Sequence, residues 1–264
     1  MIDLRLSEEE LEHQRDHLTG FIREQVDAAG AFGAVLGLSG GIDSTLTATL
    51  AVEALGADGV HGLVLPATVS SEENMSDAEA VAQDLEISYD VIEIEPIVDA
   101  LVAAYPDAEG DHVAVGNARA RTRAVLNYLV ANHENRIVLG TGNRSEAAVG
   151  YFTKYGDGAV DCHPIGNLYK QQVRQLARYL GVPDSLADKT ATAELWANQT
   201  DEEELGIDYD TLDSILATHI DGPLSVTATC RLLEVEAETV TMVRELYEGS
   251  EHKRNAPPAP ASLE

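Results

Sequence analysis

Apolar and polar positions alternate in blocks along this chain. Residues 34–38 form an unbroken apolar strand, residues 39–44 a tight polar turn, and 45–55 an apolar helix closed by Gly56. Further strands are expected over 60–65, ending at Pro66, over 89–94 and over 136–139. Helical spacing recurs between them. Ser7-Glu8-Glu9-Glu10 reads as a capping box opening a helix with Leu11, Leu18, Ile22 and Val26 on one face. Other helices are expected over 76–85, from Pro96 to about 105, over 117–132, from 168 to 180 with Gly181 behind, and over 224–233 and 235–247, with 106–116 left as a loop. Strands alternating with helices predict an α/β fold: a doubly wound, mostly parallel sheet with helices on both faces and ligands at the strands' carboxyl ends. The length fits one domain, with residues from about 250 to 264 as a tail.

The turn after the first strand reads Ser39-Gly40-Gly41-Ile42-Asp43-Ser44. Adjacent glycines let the backbone approach a ligand closely, and amides at a helix start favour an anion. A Walker loop closes on Lys-Ser/Thr, but Asp43-Ser44 stands there, and no G-x-G-x-x-G occurs. An ordinary strand-to-helix turn capped by Asp or Ser is the plain alternative. A second glycine turn, Gly140-Thr141-Gly142-Asn143-Arg144-Ser145-Glu146, follows the 136–139 strand; Glu146 offers a carboxylate beside that of Asp43 for an ion such as magnesium, or else Ser145 and Glu146 merely begin a helix. Residues 150–165 are too polar and glycine-rich for a strand and too long for a turn, which favours an ordered functional loop.

Charge changes the picture most. Forty-six acidic against 17 basic residues give a net charge of −29, spread along the whole chain. Such a surface repels nucleic acid and calls for salt screening, so a salt-adapted source is expected. Only Lys154, Lys170, Lys189 and Lys253 supply lysine. Lys170 sits in a first helical turn, which the helix dipole disfavours unless an anion is near. Arg119, Arg121 and Arg123 cannot all serve one ligand, because 121 points away from the face shared by 119 and 123. Cys162 and Cys230 form neither a metal pattern nor a disulfide framework. With no apolar run of spanning length and no signal pattern, a cytoplasmic protein without membrane contact is expected.

The 39–44 hexapeptide resembles the pyrophosphate loop of ATP pyrophosphatases. Together with 140–146, 150–165, 168–177, Lys189-Thr190-Ala191-Thr192-Ala193-Glu194-Leu195, 199–206, Glu251-His252-Lys253-Arg254 and Pro257-Pro258, it resembles ammonia-dependent NAD synthetase of a halophilic archaeon. Ala191 departs from the family's usual proline. The resemblance implies that deamido-NAD is adenylated by ATP and then amidated by ammonia, with no glutamine-cleaving domain attached. It implies magnesium on Asp43 and Glu146. ATP would be held by Gly37, Leu38, Ser39, Gly40, Gly41, Ile42, Asp43, Ser44 and Thr141, with Lys170 and Thr192 on its phosphates. It assigns deamido-NAD to Lys154, Asp161, His252 and Lys253, with Arg121 reaching the substrate of the other subunit in a homodimer. Asp157 would orient ammonium and accept its proton, although Gly-Asp-Gly is also an ordinary turn; Lys189 has no role. Two rivals stand beside this reading: another pyrophosphatase sharing the first loop, and a nucleotide-binding regulatory module without turnover.

Overall fold

The computed structural model describes residues 2–192, 195–196 and 199–260. Ala193 and Glu194, part of the 189–195 run, lie outside the described residues. In chain order the main elements are α1 (Glu8–Ala29), β1 (Ala34–Leu38), α2 (Ile42–Leu55), β2 (Val60–Val64), α3 (Glu72–Asp84), β3 (Ser88–Val91), α4 (Glu95–Ala104), α5 (His112–Glu134) and β4 (Ile137–Val138). There follow α6 (Arg144–Val149), α7 (Lys170–Tyr179), α8 (Asp184–Ala187), α9 (Asp201–Leu205), α10 (Tyr209–Ile215), a π-helical turn (Leu216–Ile220), α11 (Val226–Leu233), α12 (Ala237–Gly249) and α13 (Glu251–Arg254).

All pairings in the sheet are parallel and the strand order is β3-β2-β1-β4. Val35 therefore pairs with His61 on one side and Val138 on the other, and the order reverses between β1 and β4. A crevice opens at such a reversal, at the carboxyl ends of the strands. Alternation divides the strand side chains between two cores. Leu36, Leu38, Val60 and Val64 join Leu18, Ile22, Leu46, Leu50, Val173 and Leu176 from α1, α2 and α7. Val35, Leu63 and Val138 join Val98 of α4 and Leu126 and Ala131 of α5 on the opposite face. A third cluster, including Val149, Leu212, Ile215, Leu216, Leu233, Val240 and Val243, is purely helical. Among the described residues no helix is long and apolar enough to cross a membrane.

The capping box at Ser7 forms as expected, and Gly30 closes α1 in the left-handed conformation. Other boundaries move: the strand expected over 89–94 spans Ser88–Val91, and the one expected over 136–139 is only Ile137–Val138. Helix α2 begins at Ile42, because extended Gly41 already caps it, which draws Asp43 and Ser44 into the first turn. Helix α3 begins at Glu72, with the Ser71 hydroxyl accepting from the Asn74 amide. Much of the expected 106–116 loop is helix, since the Asp111 carboxylate accepts from the amides of Val113 and Ala114 and starts α5 at His112. The supposed tail folds in part: α13 follows buried Ser250, whose hydroxyl bonds to the Leu246 carbonyl at 2.6 Å.

Candidate active site

The 39–41 loop leaves β1 at the crevice. Gly40 takes φ +70°, and a Cβ there would stand 2.3 Å from the Asn74 carbonyl oxygen, so this position needs glycine twice over. Ser44 folds its hydroxyl back, donating to the Gly41 carbonyl at 3.0 Å and lying 3.1 Å from the Ser39 hydroxyl. The result is a hydroxyl-lined cradle on the amino end of α2.

On the β4 side, Asn143 caps α6 reciprocally with Glu146: its Oδ1 accepts from the Glu146 amide at 3.0 Å while Glu146 Oε2 accepts from the Asn143 amide at 3.2 Å. The same side chain donates Nδ2–H to Asp43 Oδ1 at 2.9 Å. One asparagine thus braces both carboxylates proposed from sequence as metal ligands.

Lys170 enters from the first turn of α7, only 2% exposed. Its Nζ bonds to Asp43 Oδ2 and to Glu146 Oε1, the latter at 3.3 Å, and lies 5.1 Å from the Tyr209 ring centre. The anions that its position required are therefore present. Burial alone would lower the ammonium's pKa, but Asp43 and Glu146 outweigh it and hold Lys170 above an ordinary lysine. Burial pushes the Glu146 carboxyl up, against the pull of Lys170. A further carboxylate, Asp201 of α9, faces the same cluster. It is 4% exposed, its Oδ2 accepts from the Tyr209 hydroxyl at 2.9 Å, and among the described residues its buried Oδ1 finds no hydrogen-bond partner, with the Tyr151 hydroxyl near the carboxylate. One ammonium against three carboxylates leaves this wall anionic.

That surplus and the all-oxygen donor set fit magnesium, which binds through one or two carboxylates plus phosphate oxygens rather than a complete protein cage. Among the described residues no group of three or more His, Cys, Asp or Glu side chains is placed to hold a metal ion by itself.

These groups line a cavity of about 460 Å³, together with Gly37, Leu38, Ser39, Gly41, Ile42, Ser44, Thr141, Asp157, Lys189, Thr192 and Lys253. Gly40 supports the cradle from behind. Asp157 lines the cavity with its residue exposed on the open side. Its Oδ1 accepts from the Thr153 amide at 2.9 Å, and the protein atoms packed around the carboxyl raise it above the usual range. Lys253 donates to the carbonyls of Gly150 and Phe152 at 2.7 and 2.9 Å, pinning the glycine-rich loop that residues 150–165 predicted.

Arg121, Lys154, Asp161 and His252 do not line this cavity. Lys154 Nζ bonds to the His252 carbonyl, and Arg121 Nη2 reaches the Lys154 carbonyl at 3.3 Å. Asp161 holds the edge of β4, accepting from the Val138 amide at 2.7 Å and from the Tyr128 hydroxyl at 3.1 Å. Of the arginine trio, Arg119 pairs with Glu95 at 2.7 Å and Arg123 donates to the Leu65 carbonyl at 3.0 Å beside the cavity, so 119 and 123 do share a face. Lys189 pairs with Asp77 of α3, 3.5 Å from the Gly40 carbonyl, and so holds the cradle against α3. Cys162 and Cys230 are free thiols, and burial pushes Cys162 up to about 11.

Sequence reasoning passed over Asn143 and Asp201. Asn-x-x-Glu at 143–146 carried a readable capping signal. Asp201 sat within the acidic run Asp201-Glu202-Glu203-Glu204, where nothing set it apart from solvated neighbours.

Sheet order, cradle and carboxylate–lysine cluster together define an α/β protein of the adenine nucleotide alpha hydrolase-like fold, the class expected from sequence. The family described as NAD synthase matches residues 15–257, and the chain belongs to that family. An NH(3)-dependent NAD(+) synthetase of Halobacterium salinarum is 63% identical over 259 residues, covering 98% of this chain and 97% of that one. Among solved structures, an NMN synthetase from Francisella tularensis superposes with a TM-score of 0.83 at 36% identity, over 97% of this chain and 99% of that one. An NH3-dependent NAD synthetase from Campylobacter jejuni gives 0.80 at 30%, over 95% and 99%.

Proposed function

We propose that the chain acts as one unit that amidates deamido-NAD to NAD with ATP and ammonia. The observation that carries this reading is the Lys170–Asp43–Glu146 cluster beside the Ser39-Gly40-Gly41 cradle, in a chain 63% identical to an NH(3)-dependent NAD(+) synthetase. The nicotinate carboxylate attacks the α-phosphorus of ATP, the bond to the bridging oxygen breaks, and pyrophosphate leaves. Ammonia then attacks the adenylate's carbonyl and AMP departs. The cradle amides, Ser39, Ser44 and Thr141 hold ATP, while Lys170 and Thr192 take the negative charge that develops on the phosphates. Asp43 and Glu146 would hold magnesium, which supplies positive charge that draws phosphate oxygens together. Lys253, Lys154, Asp161 and His252 bind deamido-NAD around the 150–165 loop.

The direct test is NAD and AMP formation from ATP, magnesium and ammonium, with deamido-NAD and nicotinate mononucleotide offered in parallel. The second acceptor matters because of the likeness to an NMN synthetase. Turnover of deamido-NAD by a large margin supports the proposal; preference for the mononucleotide overturns it, and ATP binding without cleavage returns the regulatory-module reading.

Asp157 is assigned the proton released by ammonium. A base must be ionised, and the protein atoms packed around this carboxyl raise it, so the acid limb of the amidation step should lie above the ordinary aspartate range. Asp157→Asn is expected to slow amidation by about 10²-fold or more and remove that limb, while ATP–pyrophosphate exchange persists. A plain turn residue would slow both steps alike, and stopped-flow analysis of each step separates the two cases.

The unit is a homodimer in this reading. Arg121, Val125 and Leu129 recur at i, i+4, i+8 on α5, and the two apolar members are 67% and 63% exposed. Covering that stripe with a second copy removes it from water and carries Arg121 towards the partner's substrate. Val125→Glu with Leu129→Glu should give a monomer by sedimentation, with a raised KM for deamido-NAD; an unchanged dimer would place the interface elsewhere.

A further inference from the structure

Asp213 of α10 is completely buried; among the described residues it forms no direct salt bridge, and the cation that acts on it, Arg174 of α7, pairs instead with Asp210 at 3.7 Å. Taking a carboxylate out of water without a counter-ion is costly, and it persists only where hydrogen bonds satisfy it. Its Oδ1 accepts from the Ser145 hydroxyl, and its Oδ2 accepts from the Gln171 amide at 2.9 Å. The Ser145 oxygen in turn accepts from the Lys170 amide at 3.0 Å. One side chain therefore satisfies, directly and through Ser145, the first two amides of α7, which have no partner inside the helix. Its negative charge also lies at the positive end of that helix.

The residues it grips are the ones whose spacing matters. Ser145 is the chain neighbour of Glu146, and the Lys170 amide belongs to the residue whose Nζ reaches Glu146 Oε1 at 3.3 Å. Helices α6 and α7 carry the two groups, and Asp213 ties both to α10, which Leu212 and Ile215, with Leu216 of the following π-helical turn, anchor in the helical core. Asp213 faces away from the cavity and does not line it.

We infer that Asp213 is a positioning residue for adenylation: acting through Ser145 and the amino end of α7, it fixes Lys170 against Glu146 at the ATP phosphates. The inference rests on the reading of the cavity as the adenylating site. Burial pushes the Asp213 carboxyl up to about 6, so it is ionised at neutral pH and able to accept both hydrogen bonds.

The experiment compares wild type with Asp213→Asn, Ser145→Ala and the double variant. ATP–pyrophosphate exchange with deamido-NAD is measured at temperatures where thermal melts show each protein folded. Wild-type exchange is the control: its absence would sink the functional reading, whatever the variants do. With it present, Asp213→Asn should lower kcat for exchange by about tenfold or more, because asparagine keeps a single acceptor oxygen and its NH2 group, a donor, cannot accept the second of the two bonds. The KM for deamido-NAD should stay within about twofold, since the acceptor lies elsewhere in the cavity. Ser145→Ala removes the Ser145 bonds to Asp213 and from the Lys170 amide but leaves the Gln171 bond to Asp213, and should show a smaller loss. The double variant should be no slower than Asp213→Asn, since both substitutions break one chain of bonds. Variants with lowered melting temperature but wild-type kcat would overturn the inference, as would kcat losses that multiply in the double variant. If Asp213→Asn does not fold, Ser145→Ala decides alone: reduced kcat at unchanged KM for deamido-NAD supports the inference, and unchanged kcat overturns it.

Discussion

Lys170→Met is expected to lower the rate of adenylation by about 10²- to 10³-fold, the loss typical of deleting one preorganised charge-stabilising group. Methionine matches the length of the side chain and its contact with Tyr209, so the change is chiefly one of charge. In the free protein the ammonium neutralises part of the Asp43, Glu146 and Asp201 wall. Without it the buried carboxylates face one another, and breaking a buried pair in this way costs about 3–5 kcal/mol. Two effects of opposite sign follow. Magnesium should bind the nucleotide-free variant more tightly, because the wall has become more negative, while ATP–pyrophosphate exchange becomes slower. Calorimetric titration and exchange kinetics on the same preparation check both. A variant that binds magnesium no better than wild type and exchanges pyrophosphate at the same rate would place Lys170 outside the chemistry. Lys170→Arg should not restore the rate, since a planar guanidinium cannot occupy a space 2% exposed that was shaped for a compact ammonium.

Asp43 and Asp157 could be read from the sequence through the motifs that hold them, whereas Asp201 and Asp213 could not, for one reason. With 46 acids in the chain, any single Asp or Glu is most simply a solvated surface residue, and Asp201 and Asp213 carry no mark that distinguishes them from Asp208 or Asp210. Burial distinguishes them, and burial is set by the packing of α9 and α10, two short helices that local periodicity did not predict. Lysine is the reverse case. Scarcity drew attention to all four lysines: Lys170 and Lys253 line the cavity, Lys189, with no role read from the sequence, lines it too, and Lys154, assigned to substrate by resemblance, does not. The strand and loop at 34–44 were legible because five apolar residues and three glycines constrain the backbone over a short span. The start of α5 was not, because Gly110 and Gly116 suggested loop, whereas the Asp111 cap and the contact of Gly116 with Leu195 and Trp196 decide the matter in the fold.

Removing salt is expected to have the second large effect. Even if every lysine and arginine paired with one acid, 29 acids would remain without a partner. Helices α1, α2, α3 and α4 carry no base in their last turns, where cations are favoured by the dipole, so acidic character persists even at positions that favour positive charge. The Debye length falls from about 10 Å at 0.1 M salt to about 3 Å at 1 M, so neighbouring surface acids repel strongly in the first case and hardly at all in the second. Between 0.1 and 2 M KCl we expect the melting temperature to rise by about 10–20 °C, the shift that a gain of about 5 kcal/mol produces in a chain of this size. Activity should follow the folded fraction. The 63% identity to the Halobacterium salinarum protein fits a salt-adapted source. Sucrose, which favours compact states without screening charge, separates the causes. If it replaces KCl fully at low ionic strength, repulsion is not what limits the fold; if only salt restores both stability and turnover, the acidic surface is the reason.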